Sequence, residues 1–212
     1  MFRLESREFR LQAREFRVKV VSTLTIFAGP GYCAPMEDVD AAGLDFWSFV
    51  ALANRRLAQE YGFRHQLATE VLLTLNRASD LVTYDLEAAV HRPRGRSWSA
   101  FRLLFVVWLA GSLEPTSAAR LTGMSRAAVS NLVKTLVAEG MLDRAPDERD
   151  GRSVRLSLTD AGQEEMVSVF REHNEREFGW TNALTETEQR ILVMLLGKLI
   201  TSRAEFGTRS RK

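Results

Sequence analysis

The chain has 212 residues, of which 45% are hydrophobic, enough for one domain of ordinary size with an appendage. Its 29 basic residues nearly balance 27 acidic ones, a net charge of +2, so a uniformly basic nucleic-acid binder is excluded and any such role must come from local placement. The single cysteine, Cys33, rules out an intramolecular disulfide, and no apolar run approaches the ~18 residues of a membrane span.

Residues 1–36 read as an N-terminal extension. FRLESRE, FRLQARE and FRVKVVS repeat every seven residues. Phe2, Phe9 and Phe16 pair with Leu4, Leu11 and Val18 at a distance of two, whereas a coiled-coil seam needs three and four. A short basic stretch followed by Val20 to Ala28 gives a faint imitation of an export signal, a pattern of low specificity. A disordered or locally helical tail is expected, or leader sequence with Met36 as the natural start.

Asp45 to Tyr61 predicts a helix with Phe46, Phe49, Val50, Ala53 and Leu57 on one face and Gly62 as its stop. A longer helix is expected from about Arg64 to His91, broken by Arg92-Pro93-Arg94-Gly95. Ser97 can cap an apolar helix, Trp98 to Ala110, with Phe101, Leu104, Phe105 and Trp108 in the core. Gly111 to Pro115 connects it to the next segment.

From Pro115 to Gly162 the local signals follow without a gap. Thr116 or Ser117 starts a short helix that stops at Gly123. Ser125 caps a second helix, in which Val129, Leu132, Val133, Leu136 and Val137 share a face and Ser125, Arg126, Ser130, Asn131 and Lys134 lie outside. Gly140 ends it. Met141 to Arg144 reads as a strand, an eight-residue tip follows, and Val154, Leu156 and Leu158 alternate along a return strand. Helix, turn, helix and β-hairpin make a winged helix-turn-helix. Between Thr116 and Arg155 seven basic residues meet five acidic ones, so the case for DNA rests on their positions.

After the hairpin, Thr159 or Asp160 caps a helix that runs to about Trp180. Thr185 and Glu188 form a capping box for a last helix rich in Ile191, Leu192, Met194, Leu195, Leu199 and Ile200. That helix is too apolar for a solvated surface and must bury two sides. The fold expected is therefore mainly α: a winged helix-turn-helix with a small β-hairpin wing and N- and C-terminal dimerisation helices. Its parts are 44–92, 97–162 and 163–204, in a domain spanning 44–204.

Each outer residue has a chemical use on DNA. Arg126 can bond two acceptors of guanine, and Asn131 can do the same for adenine. Ser125, Ser130 and Lys134 suit phosphates, and Thr116 and Ser117 join the DNA-binding set from the start of the first helix. In the wing, Arg152 suits a narrow minor groove, Asp150 two residues away can orient its guanidinium, and Arg149 and Arg155 suit phosphates. A protein-interaction module that uses the same helix face is the alternative. The three histidines, His65, His91 and His173, lie in separate segments without metal-ligand spacing. No Gly-rich phosphate loop or nucleophile elbow points to an enzyme, and no metal or cofactor is expected.

Met124-Ser125-Arg126, Val129 to Val133, Glu139 to Arg144, the wing Asp147 to Arg152 and the closing Leu158-Thr159-Asp160-Ala161-Gly162 resemble the multiple-antibiotic-resistance regulator (MarR) family of bacterial transcription factors. The resemblance implies a cytoplasmic homodimer, formed by interlocked terminal helices, that binds double-stranded DNA at a pseudo-palindromic operator and releases it when a small ligand binds. The extra N-terminal helix with its tryptophan resembles the urate-responsive subgroup. That likeness implies Trp47, Asp85, Trp98 and Arg102 as effector-site residues and a small aromatic or phenolic effector. Ordinary core packing is the competing reading for those four. Cys33 resembles the reactive cysteine of the peroxide-sensing branch, against the plainer reading of a bystander thiol.

Overall fold

The computed structural model describes residues 43–147 and 153–202. Residues 1–36, with Cys33, and the wing-tip residues Arg149, Asp150 and Arg152 lie outside them. The chain folds as two compact units, one ending at Leu81 and one beginning at Val82.

The first unit contains α1, Phe46–Gln59, and most of α2, Gln66–Leu86. Asp45 starts α1 through a reciprocal capping box: its carboxylate accepts the Ser48 N–H at 2.7 Å, while Ser48 Oγ accepts the Asp45 N–H at 2.9 Å. Val50 is buried, whereas Phe49, expected on the same face, is 47% exposed. Asn54 donates to Glu70 at 2.9 Å, which ties α1 to α2. Gly62, at φ 69°, turns the chain between them.

In the second unit α2 does not end where its α-helical hydrogen bonds end. It widens into a π-helical turn, Glu87–His91, and tightens into a 3-10 turn, Arg92–Arg94, before Gly95 closes it in the left-handed region. Proline at 93 removes one N–H from the ladder, and the change of pitch accommodates it.

The core is built on α3, Trp98–Ala110, which is apolar on nearly every side. Ser97 Oγ accepts the Ala100 N–H at its start. Phe101 and Leu104 are buried as expected, and Phe105 and Trp108 pack against the core from its edge. Leu103 and Val107 are sealed completely. A helix apolar on nearly every side shows no single apolar stripe, so periodicity does not single these two out.

The connection after α3 is a short strand, β1, Ser112–Leu113. It is followed by α4, Pro115–Thr122, and α5, Arg126–Ala138. Glu114, not Thr116 or Ser117, holds the cap position of α4, because Pro115 fits the first helical turn, where no N–H partner is needed. Strands β2, Leu142–Pro146, and β3, Val154–Leu158, pair antiparallel, Leu142 opposite Leu158 and Pro146 opposite Val154. β1 joins the other edge of β3, giving the order β1-β3-β2. Leu113, Leu142 and Leu156 bring the sheet onto the core. Two long helices follow, α6, Asp160–Thr181, and α7, Glu186–Ser202. Met166 and Val169 dock α6 on the core, while no described residue of α7 is buried. The chain is thus mainly helical with a small antiparallel sheet, a winged helix-turn-helix.

Candidate nucleic-acid interface

The turn between α4 and α5 is set by two local devices. Gly123, at φ 70°, ends α4 in the left-handed region. Ser125 then caps α5, its Oγ accepting the Ala128 N–H at 3.2 Å. Thr122, buried between them, donates its hydroxyl to the Ala118 carbonyl at 2.7 Å. With both helix ends satisfied, the turn holds the start of α5 at a fixed angle.

Val129, Val133 and Leu136 anchor α5 in the core. Leu132 packs on its edge, and Val137, assigned to the same face, is 39% exposed. The opposite side carries Arg126, Ser130, Asn131 and Lys134, all exposed, with Ser125 half-buried at its start. Arg126 and Lys134 make no ion pair or side-chain hydrogen bond among the described residues, so their charges are available to an outside anion. Thr116 is exposed at the start of α4, its hydroxyl donating to Glu114 at 3.1 Å, and Ser117 is half-buried beside it.

Arg155 is held at the base of the wing. Its guanidinium donates to Ser112 Oγ at 2.8 Å, to the Ser112 carbonyl at 2.6 Å and to Asp147 at 3.2 Å. These bonds lock β1, β3 and the root of the hairpin together and use three of the five donors that a phosphate could have taken.

The four residues tied to an effector have separate surroundings. Trp47 belongs to the first unit, is 42% exposed and meets Phe46 edge-on. Asp85 accepts from Arg176 at 2.7 and 2.5 Å and from the Trp180 indole at 2.7 Å. The Arg176 hydrogen bond holds the Asp85 carboxyl below the usual carboxylate range, and Trp180 adds to it. Trp98 stacks with Phe101 and His173. Arg102 lines an open groove of about 590 Å³ with Ser99, Gly123, Met124, Ser125, Ala128 and Leu132, and has no ion pair among the described residues.

One cluster is invisible to spacing. His91 and His173, 82 positions apart, meet at 3.1 Å between Nε2 and Nδ1. Glu177 lies 3.1 Å from His173 Nε2. If that carboxylate accepts the Nε2 proton, His173 Nδ1 becomes an acceptor and His91 Nε2 the donor, which leaves the buried His91 Nδ1 without a partner. Burial, helped by the neighbouring His173, pushes His91 down to about 4, so the pair is neutral near pH 7. Among the described residues no group of three or more ligand types is placed to hold a metal ion.

The MarR family model matches residues 94–153, from the 3-10 turn into the wing. An uncharacterized HTH-type transcriptional regulator of Bacillus subtilis, YwaE, is 33% identical over 132 residues, covering 62% of this chain and 77% of its own length. The chain belongs to the MarR family. AbsC, a MarR family transcriptional regulator from Streptomyces coelicolor, has the same fold, with a TM-score of 0.62 at 18% identity over 68% of this chain and 98% of its own. The PcaV transcriptional regulator from the same organism, solved in complex with its natural ligand, matches with a TM-score of 0.57 at 20% identity, over 64% of this chain and 95% of its own. As a MarR protein this chain is a DNA-binding transcription regulator.

Proposed function

We propose that the chain is a ligand-responsive homodimeric repressor of the cytoplasm that binds a pseudo-palindromic operator in double-stranded DNA. The observation that carries this reading is the outer face of α5: two cations unpaired among the described residues, Arg126 and Lys134, with Asn131 and Ser130 between them, on a helix whose other side is locked in the core. Arg126 and Asn131 read base edges, and Ser125, Ser130, Lys134, Thr116 and Ser117 fix register on phosphates. In the wing, Arg152 enters the minor groove, Asp150 orients it, and Arg149 lies against the DNA backbone, while Arg155 is held at the root of the wing by Ser112 and Asp147. A small aromatic or phenolic anion is the effector we assign, with Arg102 as its counter-charge and Asp85 and Trp98 as further effector-site residues. PcaV was solved in complex with its natural ligand, which supports a ligand-responsive reading.

Genomic pull-down with the full chain, followed by footprinting, tests the reading. The expected outcome is a pseudo-palindrome whose half-sites lie about one helical turn apart. Adding phenolic acids to the footprint should release the protein, and Arg102→Ala should keep the footprint but lose the release. No enrichment at low salt would instead favour a protein partner for the α5 face.

A further inference from the structure

The end of α5 is joined to the start of α6 by more than the chain between them. Glu139 occupies the C-terminal cap of α5, where the negative end of the helix dipole disfavours a carboxylate. Arg96 answers it. This side chain, only 12% exposed, sits just ahead of α3 and donates through one terminal nitrogen to Glu139. Its Nε and its other terminal nitrogen donate to Glu165 of α6 at 2.8 and 3.2 Å. The Glu165 bond, with Glu139 behind it, raises the Arg96 pKa further above its ordinary value. One planar guanidinium therefore spans α5 and α6.

A second joint lies beside it. The Thr159 hydroxyl donates to the Gly140 carbonyl at 2.6 Å and accepts the Gly162 N–H at 3.0 Å, and the Thr159 N–H donates to the Met141 carbonyl at 3.2 Å. These bonds all fall near one point of the α5–α6 junction. Together with Val129, Val133 and Leu136 in the core, they hold the end of α5 against the start of α6. The Arg96 fork reaches Glu165, about one helical turn further along α6 than Gly162, so it adds a second attachment between the two helices.

We infer that Arg96 is a positioning residue for operator binding, locking α5 to α6 at one angle and so setting the half-site spacing that the dimer accepts. This rests on the proposed reading in which α5 reads half-sites in a homodimer held together through the C-terminal helices. The lever is long enough to matter. A 13-residue helix is about 20 Å long, so a swing of about 10° moves its far end by about 3 Å, roughly one base-pair step. Lysine cannot replace the fork, because a point charge cannot bond two carboxylates in one plane.

The test uses the full-length protein and synthetic operators in which the half-site separation changes one base pair at a time. Wild type is expected to prefer one separation by about tenfold or more over its neighbours. Arg96→Lys should keep the unfolding midpoint but lose about tenfold at the best separation and little elsewhere, so that the preference shrinks to about twofold. Hydrogen exchange read on the free protein should show amides of 135–140 opening about tenfold faster in Arg96→Lys while α3 stays protected. If Arg96→Lys fails to fold, Glu139→Gln removes only the α5 half of the bridge at a 42% exposed side chain and should flatten the preference in the same way. Equal loss at every separation, or an unchanged preference, overturns the inference. A wild-type protein that binds one half-site as well as the palindrome would overturn the dimeric operator reading and this inference with it, whereas a palindrome bound without spacing preference would overturn the inference alone.

Discussion

Arg126 stands at the first position of α5, where the positive end of the helix dipole disfavours a cation by about 0.3–1 kcal/mol. It makes no compensating ion pair among the described residues. In the proposed reading, a residue that weakens its own helix and has no partner among the described residues serves a contact outside the chain. Arg126→Ala should therefore leave the free protein as stable as wild type, or slightly more so, while operator binding falls by about 1–3 kcal/mol with relaxed preference at one position of each half-site. Thermal unfolding and a binding series over single-base operator variants read the two effects separately. A loss of stability matching the loss of affinity would make Arg126 a structural residue. The same accounting separates Arg126 from Arg155, whose guanidinium is already committed to Ser112 and Asp147. Sequence pattern treats both as exposed arginines in a DNA-binding unit, because the partner of Arg155 at Ser112 lies 43 positions away.

At the scale of elements, the closing Leu-Thr-x-x-Gly of the wing has a steric basis. A Cβ on Gly162 would fall 2.2 Å from the Met141 carbonyl oxygen, a backbone atom with nowhere to go. Gly162→Ala must push α6 away from the end of α5 and lose the Thr159 bonds that staple them. Displacement of that kind destabilises by more than the 0.5–1 kcal/mol that alanine normally gains over glycine inside a helix. The expected result is a lower unfolding midpoint, by about 1–3 kcal/mol, together with weaker operator binding. An unchanged midpoint in calorimetry would show that the junction is loose. Elements of this kind were legible because their signals are local: Asp45, Ser97, Ser125 and Thr159 all cap helices in the structure as their types suggest. What was not legible depends on distant partners. β1 is two residues long and exists because β3 offers it an edge, Ser112 opposite Ser157. The His91–His173 contact arises from the packing of the π-helical turn against α6, which no spacing rule anticipates. The π turn itself follows from Pro93, a residue that reads in sequence only as a stop.

At the scale of the whole molecule, α7 is a helix none of whose described residues is buried. Its start is committed by the Thr185–Glu188 capping box, with the carboxylate accepting the Thr185 N–H at 2.7 Å. Yet Ile191, Leu192, Val193, Met194, Leu195, Leu199 and Ile200 are between 44% and 72% exposed. A helix of 17 residues is marginal alone in water and needs an apolar face covered to persist. In the proposed homodimer, a two-fold axis brings the same face from both chains together, so each substitution there acts twice. Covering the exposed half of one leucine contributes about 0.8–1.5 kcal/mol and two symmetric copies about 1.5–3 kcal/mol, and each lysine put there adds the cost of desolvating a charge. Leu195→Lys should then weaken the dimer by at least a hundredfold, since each 1.4 kcal/mol is about a factor of ten. Sedimentation equilibrium at micromolar concentration should show a dimer for wild type and a monomer–dimer mixture for Leu195→Lys. The winged unit, whose core is built from α3, α5, β3 and α6, should keep its unfolding transition in the variant. Operator binding should fall with it, because two half-sites read by separate chains lose the effective concentration that linkage supplies. A wild-type protein that sediments as a folded monomer would remove the dimer, and with it the argument for a palindromic operator.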